Sequence, residues 1–170
     1  MLILSARDLS RENMALEMNH PNGVDTTRAG ATIFISDDVP LQKILYAVED
    51  VLGNQVYYTE EAERYINDSR NRRSGQRFVL RYLDKIPAIL KDPSIVILDP
   101  DDVGENTMVY YKEFYVSEKE KHVLFALIVK LGFERIVYNL HPQNSGKVKS
   151  GREKQKVIFL KSGYKRTKYF

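Results

Sequence analysis

Residues 107–140, TMVYYKEFYVSEKEKHVLFALIVKLGFERIVYNL, decide the reading of the chain. Met108–Val116 is rich in Tyr, Phe and Val, Val123–Val129 is an unbroken apolar run, and Arg135–Leu140 mixes apolar and polar residues around Ile136 and Val137. β-Branched and aromatic side chains pack well on a pleated surface, so each run reads as a strand. Gly132 offers a point of reversal between the second and third runs. The middle run is apolar at successive positions, as suits a central strand covered on both faces.

Outward from this core, Lys156–Leu160, KVIFL, reads as a further strand, and Ser94–Leu98 as another between two Asp-Pro pairs. Asp99–Asn106 is an acidic, turn-rich loop; its aspartates lack the spaced ligands and closing Glu of a calcium loop and read as a solvated turn. Upstream, Phe78–Leu90 is amphipathic, with Pro87 demanding a break near Ile86. Thr59 reads as a helix cap, followed by Glu60, Glu61 and Glu63 where the helix dipole favours acids. Leu41, Ile44, Leu45, Val48, Val51 and Leu52 recur at helical spacing after Asp37, Asp38 and Pro40, which predicts a helix ending at Gly53–Asn54. Gln55–Tyr58 and Ala31–Ser36 read as short strands, Met1–Leu4 as an edge strand and Leu9–Met18 as a short helix. Asn19–Gly30 reads as a loop. The expected fold is therefore α+β, with N-terminal helices followed by an antiparallel sheet of about four strands. The expected organisation is a segment 1–55 packed on a main domain 56–170, or one continuous domain over 1–170.

The 170 residues are 43% hydrophobic and 29% charged, an ordinary balance for a globular protein. The chain has no cysteine, which removes disulfides and thiolate metal sites and fits a reducing cytoplasm. No apolar window is long enough for a membrane span, and MLILSARDLS does not read as a signal peptide. Three histidines, His20, His122 and His141, are not at helical metal-ligand spacing, and no phosphate-binding Gly-rich loop, GxSxG or HExxH occurs. No cofactor is expected.

The net charge of +3 is unevenly placed. Residues 142–170 hold nine Lys/Arg and a single acid, Glu153, a balance of +8, whereas residues 1–141 hold 17 basic and 22 acidic side chains, a balance of −5. Such a split points to an anionic partner, or to a solubilising tail. Arg70, Arg72, Arg73 and Arg77 crowd a polar stretch, and Arg77, Arg81 and Lys85 recur every four residues, as a helical stripe would. Candidate nucleic-acid contacts are therefore Arg70, Arg73, Arg77 and Lys85, with Lys161, Lys165 and Arg166 from the basic segment.

Metal-free cleavage of RNA at a 2′-OH needs a proton-transferring group and cations for the phosphorane charge. His141 is the leading proton-transfer candidate. It stands where the third strand ends, and alternation places it on one face with Arg135 and Asn139. Lys112 shares a face with Tyr110 and Phe114 and, with Arg81, could stabilise phosphate charge; an exposed strand lysine is the bland alternative. Tyr138 and Tyr111 could donate to phosphate or simply pack, and His122, beside an apolar run, reads as structural.

YLDKIPAILKDPSIVILDPD followed by VYYKEFYV and HVLFALIV resembles phage-associated nuclease-like domains of the barnase, EndoU, colicin and RelE-like group, over about residues 56–165. The resemblance implies a four-stranded antiparallel sheet after N-terminal helices. It also implies a metal-independent ribonuclease acting on single-stranded RNA or tRNA, cytoplasmic, with a protein inhibitor or phage partner. Many such domains carry histidines in the helical region, and the comparable RYINDSRNRRS has none. That departure keeps open a non-catalytic protein that binds nucleic acid or serves phage or mobile-element assembly.

Overall fold

The computed structural model describes residues 28–33, 42–102, 105–143 and 156–163. The strands are β1 (Thr32–Ile33), β2 (Gln42–Glu49), β3 (Gln55–Thr59), β4 (Ile95–Asp102), β5 (Glu105–Val116), β6 (Lys121–Leu131), β7 (Arg135–Pro142) and β8 (Lys156–Leu160). Helix α1 (Glu60–Asn71), a run of 3₁₀ turns over Ser74–Lys85 and helix α2 (Ile86–Lys91) all lie between β3 and β4. The sheet order is β1-β2-β3-β7-β6-β5-β4-β8, with β1 a two-residue extension at one edge. The β3–β7 pair is parallel and the others antiparallel.

The fold is thus a mixed sheet, not N-terminal helices followed by four antiparallel strands, and it corrects both the expected architecture and the one the resemblance implies. The decisive difference is β2. The apolar spacing over 41–52 predicts a helix, yet residues 42–49 form a strand. The cause is a bulge: Ile44 pairs with Thr59 and Tyr46 with Tyr58, so Leu45 is the extra residue. Ile44 and Ala47, three apart, thereby join one cluster with Tyr57 and Ile136, while Val48 packs into the core on the other face. A strand with a bulge and two buried faces imitates a helical period. Asp37, Asp38, Pro40 and the elements expected over 1–27 lie outside the described residues.

The three runs over 107–140 do form successive antiparallel strands, with β6 between β5 and β7. Phe125 and Leu127 of β6 pack under Ile66, Val79, Ile86, Ile89 and Leu90 of the helical segment, whereas Leu124 and Ala126 join Ile95, Ile97, Val109 and Tyr111 on the opposite face. All of these are buried. The expected acidic loop is shorter than read: β4 and β5 run on through Asp99↔Thr107 to Asp102↔Glu105. Pro87 stands at the start of α2, where the 3₁₀ run gives way. The boundary proposed at residue 55 falls in the β2–β3 hairpin. Among the described residues no helix is long and apolar enough to cross a membrane.

Candidate anion pocket between α1 and β7

Helix α1 is set by its cap. Thr59 is extended, its hydroxyl accepts from the Ala62 amide at 3.2 Å, and Glu60, Glu61 and Glu63 occupy the first turns. The paired residues of β3 and β7 are only Val56↔Arg135 and Tyr57↔Ile136. Beyond them the chain enters α1, which packs along the rest of β7. Ala62, Ile66 and Arg70, each four apart, form the buried stripe of α1. The stripe ends in a cation: Arg70 is 1% exposed.

Arg70 is held by neutral acceptors. Its guanidinium donates to the Gln76 side-chain oxygen, to Ser69 Oγ at 3.0 Å and to Asn139 Oδ1 at 3.2 Å. Among the described residues its buried Nε has no partner, and no carboxylate lies within ion-pair distance of it. Burial, reinforced by the Arg73 charge, pushes the guanidinium pKa down, against an opposing pull from Tyr65. A buried charge is costly unless paired or solvated. Three neutral acceptors use three of its five donors and leave the charge itself uncompensated.

This guanidinium lines a pocket of about 300 Å³, with Arg73 just before the 3₁₀ run and Gln76 within it, Tyr65 and Ser69 from α1, Asn139, His141 and Pro142 from the end of β7, and Gln143 just past it. His141 is half-buried, with Nδ1 3.3 Å from the Pro142 carbonyl oxygen. Tyr138 sits in a second bulge, where the β6–β7 register shifts from Ile128↔Asn139 to Val129↔Val137. Its ring stacks on Tyr65 with centroids 4.8 Å apart, its hydroxyl donates to the Tyr65 hydroxyl at 3.1 Å, and Lys130 Nζ stands 4.3 Å from its centroid. The bulge breaks the alternation: Arg135 falls in phase with Val137, while Asn139 and His141 pair with Ile128 and Ala126.

The pocket therefore gathers His141, Arg70 and Arg73 from the sequence candidates, with Tyr138 just behind Tyr65. The other candidates lie elsewhere. Lys112, on β5, donates to the Asp92 carboxylate at 2.8 Å, and Lys161 reaches the same carboxylate at 2.6 Å. These two bonds, Lys112 first, hold the Asp92 carboxyl below its usual range. Arg81 pairs with Glu118, Lys85 with Asp84 at 2.7 Å, and Arg77 donates to the Asn71 carbonyl at 3.3 Å. At three residues per turn, each step of four rotates a side chain by about 120°, so Arg77, Arg81 and Lys85 do not share a face. Lys165 and Arg166 lie outside the described residues.

No family model, curated protein or solved structure matches the chain. The pocket must be read from its own chemistry. Tyr65, Ser69, Gln76, Pro142 and Gln143 are its residues that the sequence did not single out. The four-residue spacing of Ala62, Ile66 and Arg70 was the available signal, because it puts a cation on an apolar stripe.

Proposed function

We propose that this pocket seats a phosphodiester of single-stranded RNA and that the protein is a metal-independent ribonuclease acting by 2′-OH attack. One observation carries the reading: a buried guanidinium that, among the described residues, is held by neutral acceptors only lines the same pocket as a histidine. Arg70 and Arg73 supply fixed positive charge where a phosphate, and then a phosphorane, needs it. His141 takes the proton of the 2′-hydroxyl as that oxygen bonds to phosphorus. The bond from phosphorus to the 5′-oxygen breaks, and the leaving oxygen gains its proton from water. Imidazole titrates in the range this exchange requires.

The test is cleavage of end-labelled single-stranded RNA in EDTA. Wild-type protein should cleave, and His141→Ala should lose about 10²–10⁴-fold in rate while keeping its RNA affinity. Binding without cleavage in the wild type would leave a nucleic-acid-binding protein. Absence of both would overturn the reading.

A further inference from the structure

We infer that Tyr65 is a stacking platform for a nucleobase, so that the pocket takes a base-bearing strand and not phosphate alone. The inference rests on the reading of the pocket as a phosphate site. Among the described residues Tyr138 has two partners on its ring: Tyr65, with centroids 4.8 Å apart, and Lys130 Nζ, 4.3 Å from the centroid. Tyr65 is different. Among the described residues Tyr138 is the one ring stacked on it, and the residue remains 42% exposed while lining the pocket. The ring is also held in place. It is stacked at 25° to Tyr138 and tied to it through the two hydroxyls at 3.1 Å, so little side-chain freedom is left to lose on binding.

A rigid, half-exposed aromatic ring beside a cation is what a single-stranded base requires, since every base has a face to stack and the phosphate follows at a fixed reach. Tyr65 and Arg70 are five residues apart on one helix, about 7.5 Å along its axis. That is the scale of a single nucleotide. The polar rim of Asn139, Gln76 and Gln143 offers amides rather than apolar walls, which suits a ligand whose far edge is polar.

The experiment uses a 2′-O-methyl oligoribonucleotide, which cannot be cleaved by 2′-OH attack, carrying one 2-aminopurine, and the same strand made abasic at that position. Wild-type protein should quench the 2-aminopurine and bind the base-bearing strand about 10-fold or more tightly than the abasic one. Tyr65→Ala should erase the quench and the difference, while Tyr65→Phe keeps both. Equal wild-type affinity for the two strands, or an unaltered quench in Tyr65→Ala, would overturn the inference. Arg70→Met separates the two levels: if it leaves the affinity for both strands unchanged, the phosphate reading fails. If it weakens both equally while the wild type prefers neither strand, only the stacking platform fails.

Discussion

The Arg70 guanidinium donates to Asn139 across 3.2 Å, although the two residues stand 69 positions apart. This bond ties the last turn of α1 to β7 beyond the point where β3 ceases to pair. It also places a buried cation at the wall of the pocket, since the same strand brings His141 two residues later. Most buried arginines are neutralised by a carboxylate; here three of the donors go to amides and a hydroxyl, and among the described residues no carboxylate pairs with the charge.

The energetic consequence is testable with Arg70→Met. Exchanging a buried, unpaired charge for an apolar side chain of similar length is often neutral or stabilising. We expect the variant to unfold within about 1 kcal/mol of wild type or above it, and to lose the stabilisation that phosphate gives. Wild-type protein should gain thermal stability with phosphate as binding to the native state requires, about 2.7 kcal/mol at a hundredfold excess over Kd. A fall of several degrees in Tm for Arg70→Met without ligand, with the phosphate response intact, would make the guanidinium a structural element.

The surface cations should matter less than their spacing in the sequence implies. Arg81 and Lys85 already face Glu118 and Asp84, and the 3₁₀ geometry spreads Arg77, Arg81 and Lys85 around the segment. Replacing all three by Gln should weaken binding of single-stranded RNA less than Arg73→Gln alone. The single change should lower the slope of affinity against salt by about one counterion. Titrations at several salt concentrations would show it, and a larger loss in the triple variant would move the interface onto that segment.

Much of the sheet is legible in the sequence because its strands are apolar and aromatic runs of strand length. Residues 107–130 pair without a register shift, from Thr107↔Lys130 to Val116↔Lys121, and each apolar run maps to one strand. What misleads is irregular pairing. The bulge at Leu45 gives β2 a helical period, and the bulge at Tyr138 takes Arg135 off the face of Asn139 and His141. Both depend on the neighbouring strand, which no local window contains. The site is half legible for a related reason. Arg70, Arg73 and His141 stand out by residue type, but the burial of Arg70 and the stacking of Tyr65 on Tyr138 arise only when α1 meets β7.

Two buried tyrosines provide a contrast in stability. The Tyr110 hydroxyl donates to the Asp50 carboxylate at 2.5 Å, and the same carboxylate accepts the Leu52 and Asn54 amides at 2.8 Å, which locks the β2–β3 turn against the core. Among the described residues the buried Tyr58 hydroxyl has no partner. Removing a bond to a charged group costs about 1.5–3 kcal/mol, whereas removing an unsatisfied hydroxyl relieves a penalty. In urea denaturation Tyr110→Phe should therefore lose about that much stability, and Tyr58→Phe should match or exceed wild type. Equal losses in the two variants would contradict this account of the core.

Alkaline pH should expose the same core from another direction. Burial raises the pKa of Tyr46, Tyr58 and Tyr110, with a further push on Tyr110 from its bond to Asp50, and lifts Tyr111 to about 12. In the unfolded chain each would ionise near its ordinary value, about 10. A raised folded pKa means that the native state keeps protons that the unfolded state releases. Stability from these groups is thus complete below about pH 10 and declines above it. The decline is about 1.4 kcal/mol per pH unit for each group until its folded pKa is reached. Tyrosinate absorbance followed together with far-ultraviolet circular dichroism would read the two events at once. The tyrosinate signal from these four should rise only as the sheet is lost. If all 11 tyrosines of the chain titrate reversibly near pH 10 with the dichroism unchanged, the core does not exclude water as its packing requires.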